Sequence, residues 1–382
     1  MNRLRRLLLA TVIPRVIMGT VAVMAVFLVP VSAGAQAPAL PTVTVVASGL
    51  NNPRGLAFGP DGALYVAEGG TGGTASTDGR CTQVPPPIGP YTGGLTASIS
   101  RISRQGTRTV VASGLPSSQT ASPMNFVSGV ADVAFGPGGT LFALIAGAGC
   151  SHGLDGTFNE IVRVHKNGSV TTVADLSAFL TAQPVANPDA ADFEPDGTWY
   201  SFVPAGRGFY AVEPNHQELD MITADGHVRR VIDFSKTFPG NTDWRGPTAM
   251  TSRGGSLYIG TLTPFPIKAG AAEVFKVNPR TGRFSVFATG LTTVLGLAFS
   301  KDGALYVLEM SVNNAGFPAP NTGELVRIKG SHRTLIATGL NFPTAMTFGP
   351  DGNLYVSVNG PGGPPGAGQV VRIAVSTDYQ GQ

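Results

Sequence analysis

The stretch GLAFGPDGALYVAE, from Gly55 to Glu68, recurs along the chain in recognisable copies. Each copy has two short apolar runs separated by a glycine-containing turn, such as LAF, GPDG and LYV. The alternation in LYV is typical of a strand, and Pro-Asp-Gly supplies the backbone angles of a tight hairpin. The other copies are GVADVAFGPGGTLFALI (129–145), PTAMTSRGGSLYIGT (247–261), GLAFSKDGALYVLE (296–309) and PTAMTFGPDGNLYVSV (343–358). The repeat predicts a β-hairpin that is used as a building unit.

A second hairpin follows most copies, as in ELVRIKGSHRTLIATGL from Glu324 to Leu340. Four strands per unit is the size of one propeller blade. The last glycines of the inner turns are Gly62, Gly139, Gly208, Gly255, Gly303 and Gly352. The sequence therefore predicts an all-β, six-bladed β-propeller of four-stranded blades. A β-sandwich would also show short strands and turns, but the period of roughly 48 residues in the later units argues against it.

The ends of the chain are predicted to close the ring. The sixth unit has only one outer strand, GQVVRIAV from Gly368 to Val375, whereas TVTVVASGL, from Thr42 to Leu50, matches the outermost strands of other units. We expect Val43–Ala47 to pair in the same sheet as Val370–Ala374, because an open array would leave unpaired strand edges.

The first 35 residues differ from the rest. Arg3, Arg5 and Arg6 precede a long apolar run that ends in LVPVSAGAQA, a pattern typical of a secretory signal cut after about Ala35. An uncleaved membrane anchor is the alternative. We therefore expect residues 1–35 to be a signal peptide, residues 36–382 to form a single propeller domain, and the mature protein to be secreted or periplasmic.

Composition limits the partners. Charged residues make up 13% of the chain and the net charge is +3, so there is no basic field to attract nucleic acid. No second apolar stretch is long enough to cross a bilayer. We expect a monomer that contacts neither nucleic acid nor, after signal cleavage, a membrane, and whose partner is an unidentified small molecule or protein.

The repeated units resemble those of the NHL and SMP-30 group of six-bladed propellers. The whole chain, with its cysteine-bearing, glycine-rich insertion after YVAE (65–68), more closely resembles the ScyD/ScyE family, named from scytonemin biosynthesis clusters. For most of that family the resemblance implies a fold and export, without an established reaction.

Long loops are predicted on only one face of the propeller, where binding residues concentrate. Candidates for this ligand-binding face are Glu68, Asn125, Asp132, Glu213, His216 and Glu309. The three glutamates end equivalent strands, so they either hold Ca²⁺ or act as acid and base, or simply cap their own loops. Asp132 begins an innermost strand and is expected to point into the central channel.

Two histidines, His152 and His216, lie in these loops and are candidates for a general base. The ordinary interpretation is that they are solvated, because no serine or cysteine nucleophile stands in a recognisable frame with either. No catalytic residue is assigned.

Cys81 and Cys150 are the only cysteines, and both lie in loops of adjacent blades on the same face. In an exported chain they are expected to form a disulfide. A metal site is the alternative, but one Cys-x-His with one distant cysteine leaves a ligand missing.

These observations favour an exported propeller of the ScyD/ScyE type that binds a ligand or partner without catalysing a reaction, and that has no cofactor beyond a possible Ca²⁺. The alternative is an enzyme on the same scaffold, either a metal-dependent lactonase or hydrolase, or a quinone-dependent sugar dehydrogenase.

Overall fold

A computed structural model describes residues 41–239, 244–313 and 316–375. The predicted signal segment, residues 1–35, lies outside the described residues. No helix within the described part of the chain is long and apolar enough to cross a membrane.

The described residues form an all-β structure. Its strands are β1 (Val43–Leu50), β2 (Pro53–Phe58), β3 (Leu64–Glu68), β4 (Thr92–Ile102), β5 (Arg108–Gln119), β6 (Val127–Ser128), β7 (Val130–Phe135), β8 (Leu141–Ile145), β9 (Glu160–Val164), β10 (Val170–Asp175), β11 (Ser201–Ala205), β12 (Gly208–Glu213), β13 (Glu218–Ile222), β14 (Val228–Asp233), β15 (Gly246–Arg253), β16 (Ser256–Leu262), β17 (Ala272–Val277), β18 (Phe284–Leu291), β19 (Val294–Phe299), β20 (Leu305–Glu309), β21 (Gly323–Lys329), β22 (His332–Leu340), β23 (Ala345–Phe348), β24 (Leu354–Val358) and β25 (Gly368–Ile373).

These strands form six antiparallel sheets, each built around four strands, which are the six blades of the predicted propeller. Blade 1 carries the short β6 as a fifth strand. The α-helix α1 (Leu176–Ala182) follows blade 2, and the Asp175 carboxylate caps it by accepting a hydrogen bond from the Ala178 N–H at 2.8 Å.

The N-terminal strand closes the ring, as predicted. β1 pairs antiparallel with β25, with Val43 opposite Ile373 and Leu50 opposite Gly368. The first strand thus completes the last blade. Innermost strands of the two joined blades also meet, because the Thr344 hydroxyl donates to the Pro53 carbonyl at 2.7 Å.

Aromatic contacts explain why the LAF and LYV segments recur. The tyrosine of one unit packs edge-on against the phenylalanine of the next unit, with ring centroids 4.7–5.3 Å apart. The pairs are Tyr65–Phe135, Tyr258–Phe299, Tyr306–Phe348 and Tyr355–Phe58. The last of these joins blade 6 to blade 1, so the same contact that links successive blades also closes the ring.

Cys81 and Cys150 form the predicted disulfide, which links the long loops of blades 1 and 2. On the chain-entropy description, closing a loop with a sequence separation of 69 contributes about 4 kcal/mol to stability. A disulfide fits a protein of an oxidising compartment.

Ring closure makes a testable prediction for the N-terminal strand. Leu50 is fully buried in a cluster that includes Val66 of blade 1 and Val370 of blade 6. Leu50→Ala should lower the free energy of unfolding by roughly 2–5 kcal/mol, because it leaves a cavity between two blades. Val45→Ala, in the same strand but 53% exposed, is the matched control and should change it by about 0.5 kcal/mol or less. Urea unfolding measures both, and equal, small effects would contradict the closure.

Candidate functional site

A channel runs through the centre of the ring. One cavity of ≈ 500 Å³ opens on the short-turn face and is lined by residues of all six innermost strands. A smaller cavity of ≈ 110 Å³ lies among the long loops, and its polar side is formed by Arg54, Tyr91, Asp192, Glu194, Tyr200 and Trp244. We refer to this second cavity as the loop-face pocket.

Separate elements bring these side chains together. Arg54 comes from β2, and Tyr91 from the long loop before β4. Asp192 and Glu194 belong to the segment between α1 and β11, which rises over the channel mouth and carries the acidic sequence DAADFEPD (189–196). Trp244 immediately precedes blade 4. Loops anchored by rigid strands can hold such groups in a defined arrangement.

Glu194 is the centre of a buried hydrogen-bond network. It pairs with His152 Nε2 at 2.9 Å and accepts hydrogen bonds from the Tyr91 hydroxyl at 2.6 Å and from the Thr198 hydroxyl. The His152 ring also packs edge-on against Tyr91, with centroids 4.9 Å apart. Burial opposes ionisation, but these partners outweigh it and lower the pKa of the Glu194 carboxyl. Glu194 is therefore a fixed negative charge beside the pocket.

Asp192 has the opposite properties. Burial, and then the charge of Glu194, raise the pKa of its carboxyl well above the usual value. Its Oδ1 atom is buried and has no hydrogen-bond partner among the described residues. Asn215 Nδ2 donates to the main-chain carbonyl of Asp192, at 3.0 Å, and the same amide partly offsets the increase in the pKa of the Asp192 carboxyl. Burial therefore favours the protonated form of the Asp192 carboxyl, which can donate a hydrogen bond.

Three further hydrogen-bond donors line the same pocket. Trp244 Nε1 is buried and, within the described part of the chain, has no acceptor. Burial raises the pKa of Tyr200 to about 12, so its hydroxyl stays neutral. Arg54 is held by a hydrogen bond to the Val127 carbonyl, and burial lowers its pKa. Donors gathered around one cavity are suited to stabilise negative charge that develops on a substrate oxygen.

Glu68 and Glu309, two of the sequence candidates, lie outside this pocket in their own blades. Glu68 accepts a hydrogen bond from the Asn51 N–H at 2.7 Å, and Glu309 accepts one from the Thr292 N–H at 2.5 Å. Each also pairs with an arginine of the outermost strand of its own blade, Arg108 or Arg333. These contacts are those of the loop-capping interpretation.

Glu213 and His216 lie together beneath the pocket. Glu213 is fully buried and accepts hydrogen bonds from the N–H groups of Thr198 at 2.9 Å and His216 at 2.5 Å. The His216 ring stands 3.2 Å from the same carboxylate. The expectation of solvated histidines is wrong for both loop histidines, because His152 and His216 are buried against carboxylates.

Asp132 and Asn125 lie in different surroundings. Asp132 lines the channel, as expected, and accepts hydrogen bonds from the Phe202 N–H and the Ser201 hydroxyl, both at 3.2 Å. Asn125 is exposed on a loop, where its side chain donates to the Pro123 carbonyl at 3.3 Å. The structure therefore does not assemble the sequence candidates into one site.

The sequence predicted a face of long loops but not the chemistry of the pocket that these loops build. It did not single out Tyr91, Asp192, Glu194, Tyr200 or Trp244 as candidates. One signal was available, since four acidic residues fall within DAADFEPD (189–196) in the unit whose repeat is most degenerate. The partners of that segment come from distant parts of the chain, so their proximity is not visible in the sequence.

Comparisons with known proteins support the fold. No protein-family model and no curated protein sequence matches the chain. A structure from Thermus thermophilus described as an oxidoreductase (glucose dehydrogenase) is 17% identical, with a TM-score of 0.52 over 87% of this chain and 100% of that one. The calcium-binding protein regucalcin from Agrobacterium tumefaciens is 13% identical, with a TM-score of 0.53 over 88% and 94%. The PQQ-bound aldose sugar dehydrogenase from Streptomyces coelicolor is 15% identical, with a TM-score of 0.51 over 89% and 99%.

The chain therefore has the fold of SMP-30/gluconolactonase-like six-bladed propellers, whereas the narrower ScyD/ScyE resemblance is not confirmed. The expectation of a propeller that binds without catalysis is corrected by these matches, because two of the three neighbours are described as dehydrogenases. The expectation of no cofactor is not confirmed, since one neighbour is described as calcium-binding and another as PQQ-bound.

The described residues do not fit Ca²⁺. They contain no group of three or more His, Cys, Asp or Glu side chains that could hold a metal ion. The oxygens of Glu194 and Glu213 already accept hydrogen bonds from protein donors, and Asp132 Oδ2 is used in the same way. Ca²⁺ takes six to eight oxygen ligands.

A polyanionic quinone such as PQQ does not fit the loop-face pocket either. Its carboxylates require several cationic partners. Arg54 is the one Lys or Arg side chain among the described residues that line the pocket, and Glu194 adds a negative charge there. We derive no step through either group.

The channel aspartate makes a prediction about pH and stability. Burial raises the pKa of Asp132 to about 7, despite hydrogen bonds from Phe202, Val133 and Ser201. The unfolded chain releases this proton near pH 4, so the stabilising effect of the protonated form is complete below pH 4 and lost as pH rises to 7. In the unmodified protein, this carboxyl should lower the free energy of unfolding by on the order of 3 kcal/mol between pH 4 and 7.5. Asp132→Asn should remove that contribution.

Urea unfolding at several pH values measures this difference. Asp155→Asn is the control, because Asp155 is an exposed carboxylate paired with Arg80 on the long-loop face. It should keep the pH dependence of the unmodified protein. Parallel profiles for Asp132→Asn and the unmodified protein would show that the Asp132 carboxyl titrates normally.

Proposed function

We propose that this protein is an enzyme of the lactonase type, which hydrolyses a small cyclic ester in the loop-face pocket by acid–base catalysis. The observation that carries the proposal is the buried Oδ1 atom of Asp192, which has no hydrogen-bond partner among the described residues and lies among the hydrogen-bond donors that line this pocket. Burial also raises the pKa of this carboxyl. The fold is compatible with enzymes, and the pocket lacks the cations that a quinone-dependent dehydrogenase would need.

The reaction needs two proton transfers, one from Asp192 to the ring oxygen and one from the attacking water back to Asp192. Water adds to the lactone carbonyl carbon, and the bond between that carbon and the ring oxygen breaks. Asp192 donates its proton to the departing ring oxygen, and the proton released by the attacking water restores the acid. Trp244 Nε1–H and Arg54 stabilise the negative charge that develops on the carbonyl oxygen.

Glu194 acts on this step through Asp192. After burial, the negative charge of Glu194 is the next cause of the raised pKa of Asp192. His152, Tyr91 and Thr198 hold the Glu194 carboxylate in place. Glu194 is thus a positioning residue, and Glu194→Gln should move the loss of activity at high pH to a lower pH. A structural defect alone would lower the rate at every pH without shifting the profile.

The test is hydrolysis of a panel of γ- and δ-lactones, followed by acid release. Asp192→Asn should lower kcat by about a hundredfold or more, because the amide cannot donate the proton at this position. Asp155→Asn, with its exposed carboxylate on the same face, should retain full activity. Equal activity of Asp192→Asn and the unmodified protein, or no turnover of any lactone above the buffer rate, would refute the proposal.

Export and family remain part of the proposal. We place the mature, single-domain chain outside the cytoplasm and take it to be a monomer; the Cys81–Cys150 disulfide supports the location. We also retain kinship with ScyD/ScyE on the strength of the cysteine-bearing insertion. The N-terminal residue of the protein recovered from the producing cells checks the cleavage. A first residue near Gln36 is expected, and an intact Met1 would contradict it.

A further inference from the structure

The lining of the loop-face pocket is divided into two unlike parts. Asp192, Glu194, Arg54 and the hydroxyl of Tyr200 form the polar part described above. The remaining wall is largely apolar, with Ile88, Phe126, Leu262, Phe265 and Met310 contributed by loops and strand ends of different blades. A ligand that fills the pocket must therefore present an oxygen-rich end to one side and apolar surface to the other.

The apolar wall continues outward to an exposed aromatic pair. Phe265 and Phe317 stack with their ring centroids 5.2 Å apart and their planes at 13°. They are 38% and 51% exposed, which is unusual for two large apolar rings in contact. Phe265 also lines the pocket, so the pair forms one rim of its opening.

The backbone fixes this rim in position. Phe265 lies in the connection between β16 and β17, and Phe317 lies in the connection between β20 and β21. The two connections are joined by a hydrogen bond from the Ile267 N–H to the Gly316 carbonyl at 2.6 Å. An exposed apolar surface that adjoins a pocket and is held by such contacts is typical of a ligand-binding site.

A free sugar lactone does not match this lining. Its hydroxyl groups point in all directions, so those that face the apolar wall would lose water without gaining a partner, at about 1–3 kcal/mol each. A cyclic ester with a hydrocarbon substituent satisfies both parts of the wall. Its ester oxygens reach Asp192, while its apolar body covers Ile88, Phe126 and the rim.

We propose that the substrate is a lactone that carries an alkyl or aryl body, and that Phe265, supported by Phe317, is a specificity-determining residue that contacts this body. The identification as a lactone rests on the proposed function. The division of the pocket lining and the aromatic rim support an apolar part of the ligand, whether or not the ligand is a lactone.

The experiment compares γ-lactones with alkyl substituents of increasing length, and gluconolactone, as substrates. The value of kcat/KM should rise about two- to fourfold for each added methylene that is buried, and gluconolactone should be the poorest substrate. Phe265→Ala should flatten this series, with a loss of about tenfold or more for the longest lactones and about twofold or less for the shortest.

Phe158→Ala is the matched control, because Phe158 is a 49% exposed phenylalanine in another loop of the same face and does not line the pocket. It should leave the length dependence unchanged. Phe317→Ala, which removes the stacking partner, is the second variant if Phe265→Ala does not fold, and a smaller flattening in the same direction is expected.

Binding of the corresponding alkyl lactams, which resist hydrolysis, separates the two proposals. Their affinity follows from quenching of tryptophan fluorescence, since Trp244 lines the pocket. Affinity that rises with alkyl length, without turnover of any lactone, supports the apolar body and refutes the lactonase reaction. Turnover without length dependence, or with gluconolactone as the best substrate, overturns the apolar body and leaves the reaction in place.

Discussion

The contact between a tyrosine of one blade and a phenylalanine of the next is the interaction on which the ring depends. An edge-to-face pair contributes roughly 0.5–1.5 kcal/mol beyond the area that it buries. The pair joins blade 1 to 2, blade 4 to 5, blade 5 to 6 and blade 6 to 1. The blades are separate sheets, so side-chain packing of this kind holds neighbouring blades together. The tyrosine and phenylalanine therefore recur in the sequence because each blade packs against the next through them.

The series is interrupted at blade 3, where the site is built. Phe142 takes the place of the tyrosine in blade 2 and packs on Phe209, which in turn packs on Phe202. The unit that follows has lost the GPDG turn and instead carries the acidic loop with Asp192 and Glu194. The blade that lacks the Tyr–Phe pair is also the one whose loop carries groups with perturbed pKa values. Departures from a regular pattern are expected at functional sites.

Carboxylates that repeat from blade to blade differ in role from the one that has no counterpart. Glu68 and Glu309 repeat in the sequence and make the same contacts in their blades, a capped N–H and an arginine. Asp192 has no counterpart, and its buried Oδ1 lacks a partner among the described residues. Glu68 and Glu309 thus stabilise their blades, whereas Asp192 is the residue that we propose as the proton donor.

Blade number, strand order and ring closure by Thr42–Leu50 were predictable from the sequence, because each follows from local strand and turn patterns that recur along the chain. The Cys81–Cys150 bond was predictable because the only two cysteines fall in loops of adjacent blades on the same face. For the site, the sequence predicted only the face of the propeller on which it lies, because the long loops are on that face. The grouping of Tyr91, Asp192 and Trp244 around one pocket was decided by the tertiary structure alone. Those residues are separated by many positions in the chain and belong to no repeat. The burial that raises the pKa of Asp192 exists only once the loops of several blades are packed around it.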